Sequence, residues 1–294
     1  MAVYKRTYKT YDGPLTPAWS RFGVVARYSF STLFKSRIFT IFTMLCFVPV
    51  FFAIAWMYVI HSPLVQQMLG VRMGSALQIN NQWFSQLLWA QAWMGFMLAT
   101  AATPGMVSRD FANHALQLYL CRPLSRLEYL VGKISVIAVL LSAVTWIPGL
   151  LLFALQAQLE SHGWAWDHLY LIGSIVLSGW LWIAVISLLM LALSVWVKWR
   201  IAATGLILGV FFLMPGFAEA FNAILRTKWG RVFNLPYVLN LIWEQIYRVD
   251  PRFGHINYIN RLPMWSAWAT VLTVCLISAW LLNQKLKARE VERG

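Results

Sequence analysis

The sequence has few charged residues, and acidic residues are the scarcest of them. Charged side chains make up 12% of the 294 residues, and only 10 residues are Asp or Glu. A soluble globular domain carries about 25% charged residues, so this composition excludes an ordinary soluble protein. Hydrophobic residues make up 60% of the chain. Seventeen residues are tryptophan, which is enriched at the boundary between lipid and water. The sequence therefore predicts an all-α polytopic membrane protein.

Cysteine and histidine are too scattered to build a disulfide framework or a metal site. Cys46, Cys121 and Cys275 form no spaced motif, and their number is odd. His162 and His168 lack the His-Glu-x-x-His spacing of a zinc helix, so ordinary loop histidines explain them better. We expect no metal, no cofactor bound by this chain and no catalytic residue.

The chain also lacks the phosphate-binding loop of P-loop ATPases. Gly132-Lys133 is followed by Ile134 instead of Ser or Thr, and no glycine stands five positions before Gly132. We therefore expect that the chain does not bind ATP in this way.

Charged residues are almost absent from the hydrophobic runs, where they would mark an ion or proton route. Glu219 is the exception, and we expect it at the outer interface, paired with Arg226. A stand-alone secondary transporter is disfavoured for this reason. The net charge of +14 is explained by basic cytoplasmic segments, and the lack of a basic soluble domain argues against nucleic-acid binding.

Six runs with almost no charge are each long enough to cross about 30 Å of hydrocarbon. They define a transmembrane domain at 38–282, with a tail and interfacial helix before it at 1–37 and a basic tail after it at 283–294. The predicted spans are Ile38–Ile60, Trp83–Val107, Ile134–Ala157, Leu169–Val197, Ile201–Phe221 and Leu262–Leu282.

The distribution of Lys and Arg predicts the orientation. With six spans, both termini share one side of the membrane with the connections after the second and fourth spans, and 17 of the 24 basic residues lie on that side. The positive-inside rule places this side in the cytoplasm. We expect a multi-pass protein of the plasma (inner) membrane with both termini cytoplasmic.

Two segments outside the spans have the patterns of amphipathic helices. In the segment before the first span, apolar and basic residues alternate at loosely helical spacing, which is typical of a helix in the cytoplasmic interface. In the outer segment 226–262, apolar residues four, three and four apart predict a helix in the outer interface or a short re-entrant pair. The residues are Trp19, Phe22, Val25 and Phe30 with Arg21, Arg27 and Lys35 in the first, and Leu235, Leu239, Ile242 and Ile246 in the second.

The polar stretch Arg109–Lys133 between the second and third spans predicts a helical hairpin. Leu116, Tyr119 and Leu120 share one face of a first helix. Pro123 ends that helix, and Ser125 with a glutamate three residues later forms a capping-box pattern that begins a second helix. A structured polar hairpin at a bilayer face favours docking of a partner. The alternative is that its apolar residues rest on the membrane surface.

Together with the six spans and the interfacial helices, this hairpin resembles the permease subunits of ABC-2-type exporters. The local similarity covers residues 108–133, and Asp110 stands where the family usually has Glu. Asn113-His114 depart from the usual Gly-Thr-like pair. The other matching positions are Pro123, Leu124, Ser125, Arg126, Tyr129, Leu130, Gly132 and Lys133.

The resemblance implies that the hairpin is a coupling helix seated on a separate ABC ATP-binding subunit that carries ATP-Mg. It implies an assembly of two ATPases with two permeases, either a homodimer or a pair of related chains, in the lipid bilayer. A non-transporting membrane scaffold is the alternative. The residues expected at the ATPase-coupling interface, through charge-assisted contacts and an apolar anchor face, are Arg109, Asp110, Leu116, Tyr119, Leu120, Arg122, Pro123, Ser125, Arg126 and Glu128.

Overall fold

A computed structural model describes most of the chain, and every regular element in that part is helical. No strand occurs among these residues, which agrees with the predicted all-α class. The described residues are 21–64, 67, 79–112, 126–160, 163–197, 199–250 and 261–291.

The first three helices are short, and two of them share the first predicted span. Helix α1 (Arg21–Phe34) precedes α2 (Arg37–Leu45) and α3 (Val48–His61). The chain breaks between α2 and α3 because proline, at position 49, suits the first turn of a new helix and not a helix interior.

Helix α4 (Asn81–Ala112) is the longest element, with 32 residues and an internal proline, Pro104. At 1.5 Å per residue it extends for about 48 Å. The third predicted span is again two helices, α5 (Arg126–Val144) and α6 (Trp146–Leu159), separated at Thr145.

The second half of the chain begins with the single turn α7 (Trp164–Asp167) and the long helix α8 (Tyr170–Trp196). Helix α9 (Arg200–Leu225) follows, then a 3₁₀ turn at Trp229–Phe233 and α10 (Leu235–Ile246). Helix α11 (Met264–Val291) extends beyond the last predicted span into the basic tail.

Among the described residues, five stretches are long and apolar enough to cross a membrane, where six spans were predicted. The predicted span Trp83–Val107, which lies within α4, does not reach the apolar character of the other five. Helix α4 carries Gln82, Gln86, Gln91, Thr100 and Thr103, which lower its average hydropathy. The five stretches are Arg37–His61, Leu127–Leu159, Tyr170–Trp196, Arg200–Leu225 and Met264–Lys285.

Helices α4 and α8 form the centre of the bundle. They pack against each other, and both contact α5, α6, α9 and α10. This position explains the composition of α4, because a helix surrounded by protein can bury polar side chains that would be costly in lipid. Gln91 and Thr103, for example, are only 1% and 0% exposed.

The bundle has two distinct ends. We call the end where α4 finishes and α5 begins the hairpin end, and the opposite end, where α10 lies, the cap end. Helix α10 is buried around most of its circumference, including Val238, Asn240 and Trp243. A helix lying in the outer interface would expose one whole face, whereas neighbouring helices cover most of α10.

Candidate functional site

The predicted docking residues lie at the hairpin end, and the structure describes only part of them. Arg109 and Asp110 lie in the last turn of α4, Arg126 is the first residue of α5, and Glu128 lies in its first turn, where a carboxylate favours the helix dipole. The start of α5 is thus where the capping pattern predicted it. The other predicted residues lie outside the described part of the chain: Leu116, Tyr119, Leu120, Arg122, Pro123 and Ser125.

Helix α1 lies directly against the first turns of α5, and a glycine makes this contact possible. A Cβ atom added at Gly132 would be 3.0 Å from the Phe22 carbonyl oxygen and 3.0 Å from Val25 Cβ. These distances are shorter than ordinary van der Waals contact, so a larger residue at position 132 would push α1 away. The predicted amphipathic helix is therefore a packed element of the hairpin end.

Lys133, next to this glycine, joins three helices. Its side chain is only 4% exposed, and its Nζ donates hydrogen bonds to Ser29 Oγ in α1 at 3.0 Å and to the Met106 carbonyl in α4 at 3.2 Å. The same Nζ lies 5.5 Å from the centre of the Tyr129 ring. An ammonium group away from water is costly unless it is hydrogen-bonded, so these contacts fix α1 and α4 around the start of α5.

A second cation attaches α9 to the same end of α4. Arg200, the first residue of α9, donates from its guanidinium to the Ala101 carbonyl at 3.5 Å, and its Cζ would lie 3.6 Å from a Cβ at Gly105. Pro104 lies between these positions and has no N–H, so it interrupts the α4 hydrogen-bond ladder there. Arg200 thus binds a carbonyl of α4 before the proline, and Lys133 binds one after it.

At the cap end, α10 is held through its C-terminal carbonyls. Asn81, the first residue of α4, donates from Nδ2 to the Tyr247 and Arg248 carbonyls, both at 2.9 Å. Ser174 in α8 donates to the Ile246 carbonyl at 2.9 Å. The last carbonyls of a helix have no partner within it, so side chains of α4 and α8 donate the hydrogen bonds that these carbonyls would otherwise lack.

A buried ion pair attaches α10 to the segment that leads into α11. Glu244 is 3% exposed and pairs with Arg261. Burial lowers the pKa of the Arg261 guanidinium, while the nearby Tyr237 opposes that effect. Sequence reasoning did not find this pair, because the two residues are 17 positions apart and no spacing pattern connects them.

Glu219 pairs with Arg231 and not with Arg226 as predicted. Glu219 Oε1 accepts a hydrogen bond from Arg231 Nε at 2.9 Å, and this bond raises the pKa of Arg231. Arg226 adopts a left-handed conformation with φ 49° at the end of α9. The 3₁₀ turn folds back along α9 and brings Arg231 to Glu219, an arrangement that sequence spacing does not reveal.

The histidines take structural positions in the described part of the chain. His168 contacts the Trp164 carbonyl through Nδ1 at 2.9 Å and stacks on the Trp164 ring, whereas His162 lies outside the described residues. Within the described ranges, no three His, Cys, Asp or Glu residues cluster as metal ligands would.

Sequence reasoning missed the residue that organises the hairpin end. In the sequence, Lys133 belongs to the segment that resembles the permease family and to an incomplete P-loop. Neither pattern predicts that its side chain is buried between helices. One signal was available: Lys133 directly precedes a long apolar run, and a lysine at such a position either reaches the interface or finds a buried partner. Its partner Ser29 in α1 had no sequence signal.

Comparison with known protein families gives a match over most of the chain. A family model described as "ABC-2 family transporter protein" matches residues 24–279, from α1 to α11. No curated protein matches the chain.

Proposed function

The chain belongs to the ABC-2 family of transporter proteins, and from that premise we propose that it is the permease subunit of an ATP-driven exporter. Family membership and the apolar helices identify a transport permease in a membrane. The proposal adds that a separate ABC ATP-binding subunit supplies the energy and that the substrate path forms with a second permease, identical or related. It favours transport over the non-transporting scaffold.

We assign α4 as the sixth span. Its length of about 48 Å exceeds the roughly 30 Å of hydrocarbon in a bilayer. Its polar residues Gln91, Thr100 and Thr103 are buried. Six spans place both termini and the hairpin on one side. The excess of Lys and Arg on that side supports a cytoplasmic location in the plasma membrane.

The observation that carries the coupling proposal is the junction of α1, α4 and α5 at Lys133. The hairpin 108–133 begins in the last turns of α4 and ends in the first turns of α5. A partner that moves the hairpin would pull on both helices, and on α1 through Ser29. The central helix α4 would carry that motion toward the cap end.

The proposed path between two permeases is supported by the helices that leave most of their apolar surface uncovered. Only 22% of the residues in the most apolar stretch of α9 are buried inside the chain, and the α2–α3 stretch has the same value. The corresponding value for α8 is 61%. Between α3 and α4 lies a groove of about 560 Å³ that includes Trp56, Trp83 and Gln86. A second copy would cover part of this surface.

The first experiment asks for the energy source. The tagged chain is purified in a mild detergent from the membranes in which it is naturally expressed, and bound proteins are identified by mass spectrometry with an ATPase assay. We expect an ABC ATP-binding subunit and ATP hydrolysis in the preparation. Repeated recovery of the permease without any ATPase would contradict the proposal.

The second experiment tests the hairpin as the docking site. Arg126→Glu combined with Asp110→Arg should weaken association with the ATPase by about tenfold or more, because about 1.4 kcal/mol corresponds to a factor of ten and charge-assisted contacts contribute at least that much. Lys35→Glu is the control, since Lys35 is an exposed cation at the same end outside the hairpin. Equal co-purification of both variants would count against the hairpin.

A further inference from the structure

The end of α9 and the 3₁₀ turn enclose a polar cup at the cap end. The cup has a volume of about 490 Å³. Three cations and one carboxylate contribute to its wall, and the carboxylate, Glu219, is already paired with Arg231. The Arg226 and Lys228 side chains have no hydrogen-bonding or ion-pair partner among the described residues, so the cup carries an excess of two positive charges. The residues that form it are Glu219, Asn222, Arg226, Thr227, Lys228 and Arg231.

A buried amide in the wall of the cup has a donor without an acceptor. Asn222 is 9% exposed, and its Oδ1 accepts a hydrogen bond from the Gly230 N–H at 2.8 Å. This bond fixes the orientation of the amide, and the buried Nδ2 has no partner among the described residues. An unsatisfied buried donor costs about 1–3 kcal/mol, and an acceptor supplied by a ligand would offset that cost.

The cup is a built structure. A Cβ at Gly230 would lie 2.6 Å from Asn222 Oδ1 and 2.7 Å from the Ala218 carbonyl, so the 3₁₀ turn packs against α9 as closely as a glycine allows. The Thr227 N–H donates to the Asn222 carbonyl at 3.2 Å. Arg226 holds a left-handed backbone, φ 49°, which costs a non-glycine residue about 1 kcal/mol or more. The chain keeps a strained cation at the mouth of the cup.

The surroundings place the cup at the level of lipid headgroups. It adjoins the exposed apolar side chains Ile224 and Leu225 of the membrane-spanning helix α9. On its other side, the exposed Trp229 and Trp265 rings pair at 6.0 Å, and tryptophan is enriched where membrane meets water. The group that reaches this depth with acceptor oxygens and negative charge is a lipid phosphate.

We propose that the cup binds the phosphate of an anionic phospholipid through Asn222, Arg226 and Lys228. The two unpaired cations and the Asn222 Nδ2 donor face an acceptor with several oxygens, which a phosphodiester supplies. An anionic headgroup is favoured over a zwitterionic one, because the ammonium of the latter would add positive charge to a cup that already has an excess.

Binding is measured by native mass spectrometry of the detergent-purified chain with added phosphatidylglycerol or phosphatidylcholine. We expect preferential retention of phosphatidylglycerol. Lys228→Gln should weaken this binding about fivefold, which corresponds to about 1 kcal/mol per cation near a lipid surface. Arg226→Gly should weaken it to a similar degree while raising thermal stability, since glycine tolerates the left-handed backbone. Misfolding therefore cannot account for a loss of binding in this variant.

Arg248→Gly is the matched control. Arg248 lies at the same end and also has a left-handed backbone, φ 54°, but it stacks on Tyr170 outside the cup. We expect its lipid binding to remain that of the unmodified chain. Equal weakening by Arg226→Gly and Arg248→Gly, or equal retention of the two lipids, would overturn the proposal. Displacement of the lipid by inorganic phosphate at about ten millimolar would overturn the lipid assignment as well, whereas failure to compete supports it.

Discussion

The two ends of the bundle are held together in different ways. At the hairpin end, α1 and α4 meet α5 around one buried lysine and one glycine, Lys133 and Gly132. At the cap end, a whole helix is buried, its C-terminal carbonyls are bound by Asn81 and Ser174, and the Glu244–Arg261 ion pair attaches it to the next segment. Among the described residues, the polar contacts of α1 and α4 with α5 thus converge on one side chain, whereas those that hold α10 are spread over several.

This difference matches the proposed roles of the two ends. An end that receives force from a partner must move at modest energetic cost, which is easier where the polar contacts converge on one side chain. An end that closes the bundle must stay intact while the other moves. Substitutions at the cap end should therefore lower the free energy of unfolding most, and substitutions at the hairpin end should affect mainly the helices that meet there.

The largest effect is expected from the cap ion pair. Arg261→Met leaves the Glu244 carboxylate buried without its partner, and we expect the free energy of unfolding to fall by about 3–5 kcal/mol. The combined change Glu244→Gln with Arg261→Met should recover much of this loss, because no buried charge then remains. Thermal unfolding in detergent measures both variants. A single variant as stable as the unmodified chain would show that the pair contributes little.

A smaller and more local effect is expected from Lys133→Met. The variant keeps the apolar stem and loses the Nζ hydrogen bonds to Ser29 and Met106, which costs about 2 kcal/mol. We expect amide hydrogen exchange to accelerate in α1, while exchange in α10 stays unchanged.

The matched control for Lys133→Met is Lys285→Met, a lysine that stacks on Trp196 at 4.8 Å near the same end. It should leave α1 exchange unaffected. Acceleration in α1 and α10 together would mean that the two ends do not open separately.

Two glycines allow the same change to be made at each end. Gly230→Ala places a Cβ 2.6 Å from Asn222 Oδ1 and 2.7 Å from a backbone carbonyl, and we expect a loss of about 1–3 kcal/mol from overpacking. Gly132→Ala meets Phe22 and Val25 at 3.0 Å, and a shift of α1 should reduce its cost below that of Gly230→Ala.

Gly173→Ala in α8 is the control for both, since no atom lies within 4 Å of its added Cβ. Alanine favours a helix over glycine by about 1 kcal/mol, so this variant should gain stability. Melting temperatures of the three variants give the order. A greater loss for Gly132→Ala than for Gly230→Ala would reverse the comparison between the ends.

The smallest effect is expected at His61, which connects α3 to the end of α6. His61 Nδ1 lies 2.8 Å from the Met57 carbonyl and Nε2 lies 2.9 Å from Glu160 Oε2. Both partners are acceptors, so only the protonated imidazole donates to both. We expect His61→Gln, which disrupts this pair of contacts, to lower the free energy of unfolding by about 0.5–1 kcal/mol.

The melting temperatures of His61→Gln and of the unmodified chain measure this contribution. We expect a slightly lower melting temperature for the variant. Equal melting temperatures would show that the contact between α3 and the end of α6 adds nothing to stability.

Local patterns predicted most helices well. Apolar runs gave α8 and α9 close to their observed bounds and α11 close to its observed start, and Ser125 with Glu128 predicted the start of α5. The repeat of Leu235, Leu239 and Ile242 predicted α10. These successes share a cause: helix formation in a membrane chain depends on residue type and on spacing within a few turns.

Contacts between distant segments could not be predicted in the same way. The sequence suggested Arg226 as the partner of Glu219, and only the fold of the 3₁₀ turn brings Arg231 there instead. The two hydrogen bonds of Lys133 reach residues 104 and 27 positions away. No periodicity in one sequence encodes which of several neighbouring helices a side chain will meet.

The sequence by itself determined that this protein is a helical membrane protein, because scarcity of charge and long apolar runs leave a chain no other stable environment. The tertiary structure decided that α4 is surrounded by protein, that α10 is buried in the cap and that Lys133 joins three helices. The physical reason is that burial and hydrogen bonding depend on which surfaces face each other, and packing sets those pairings across the whole bundle.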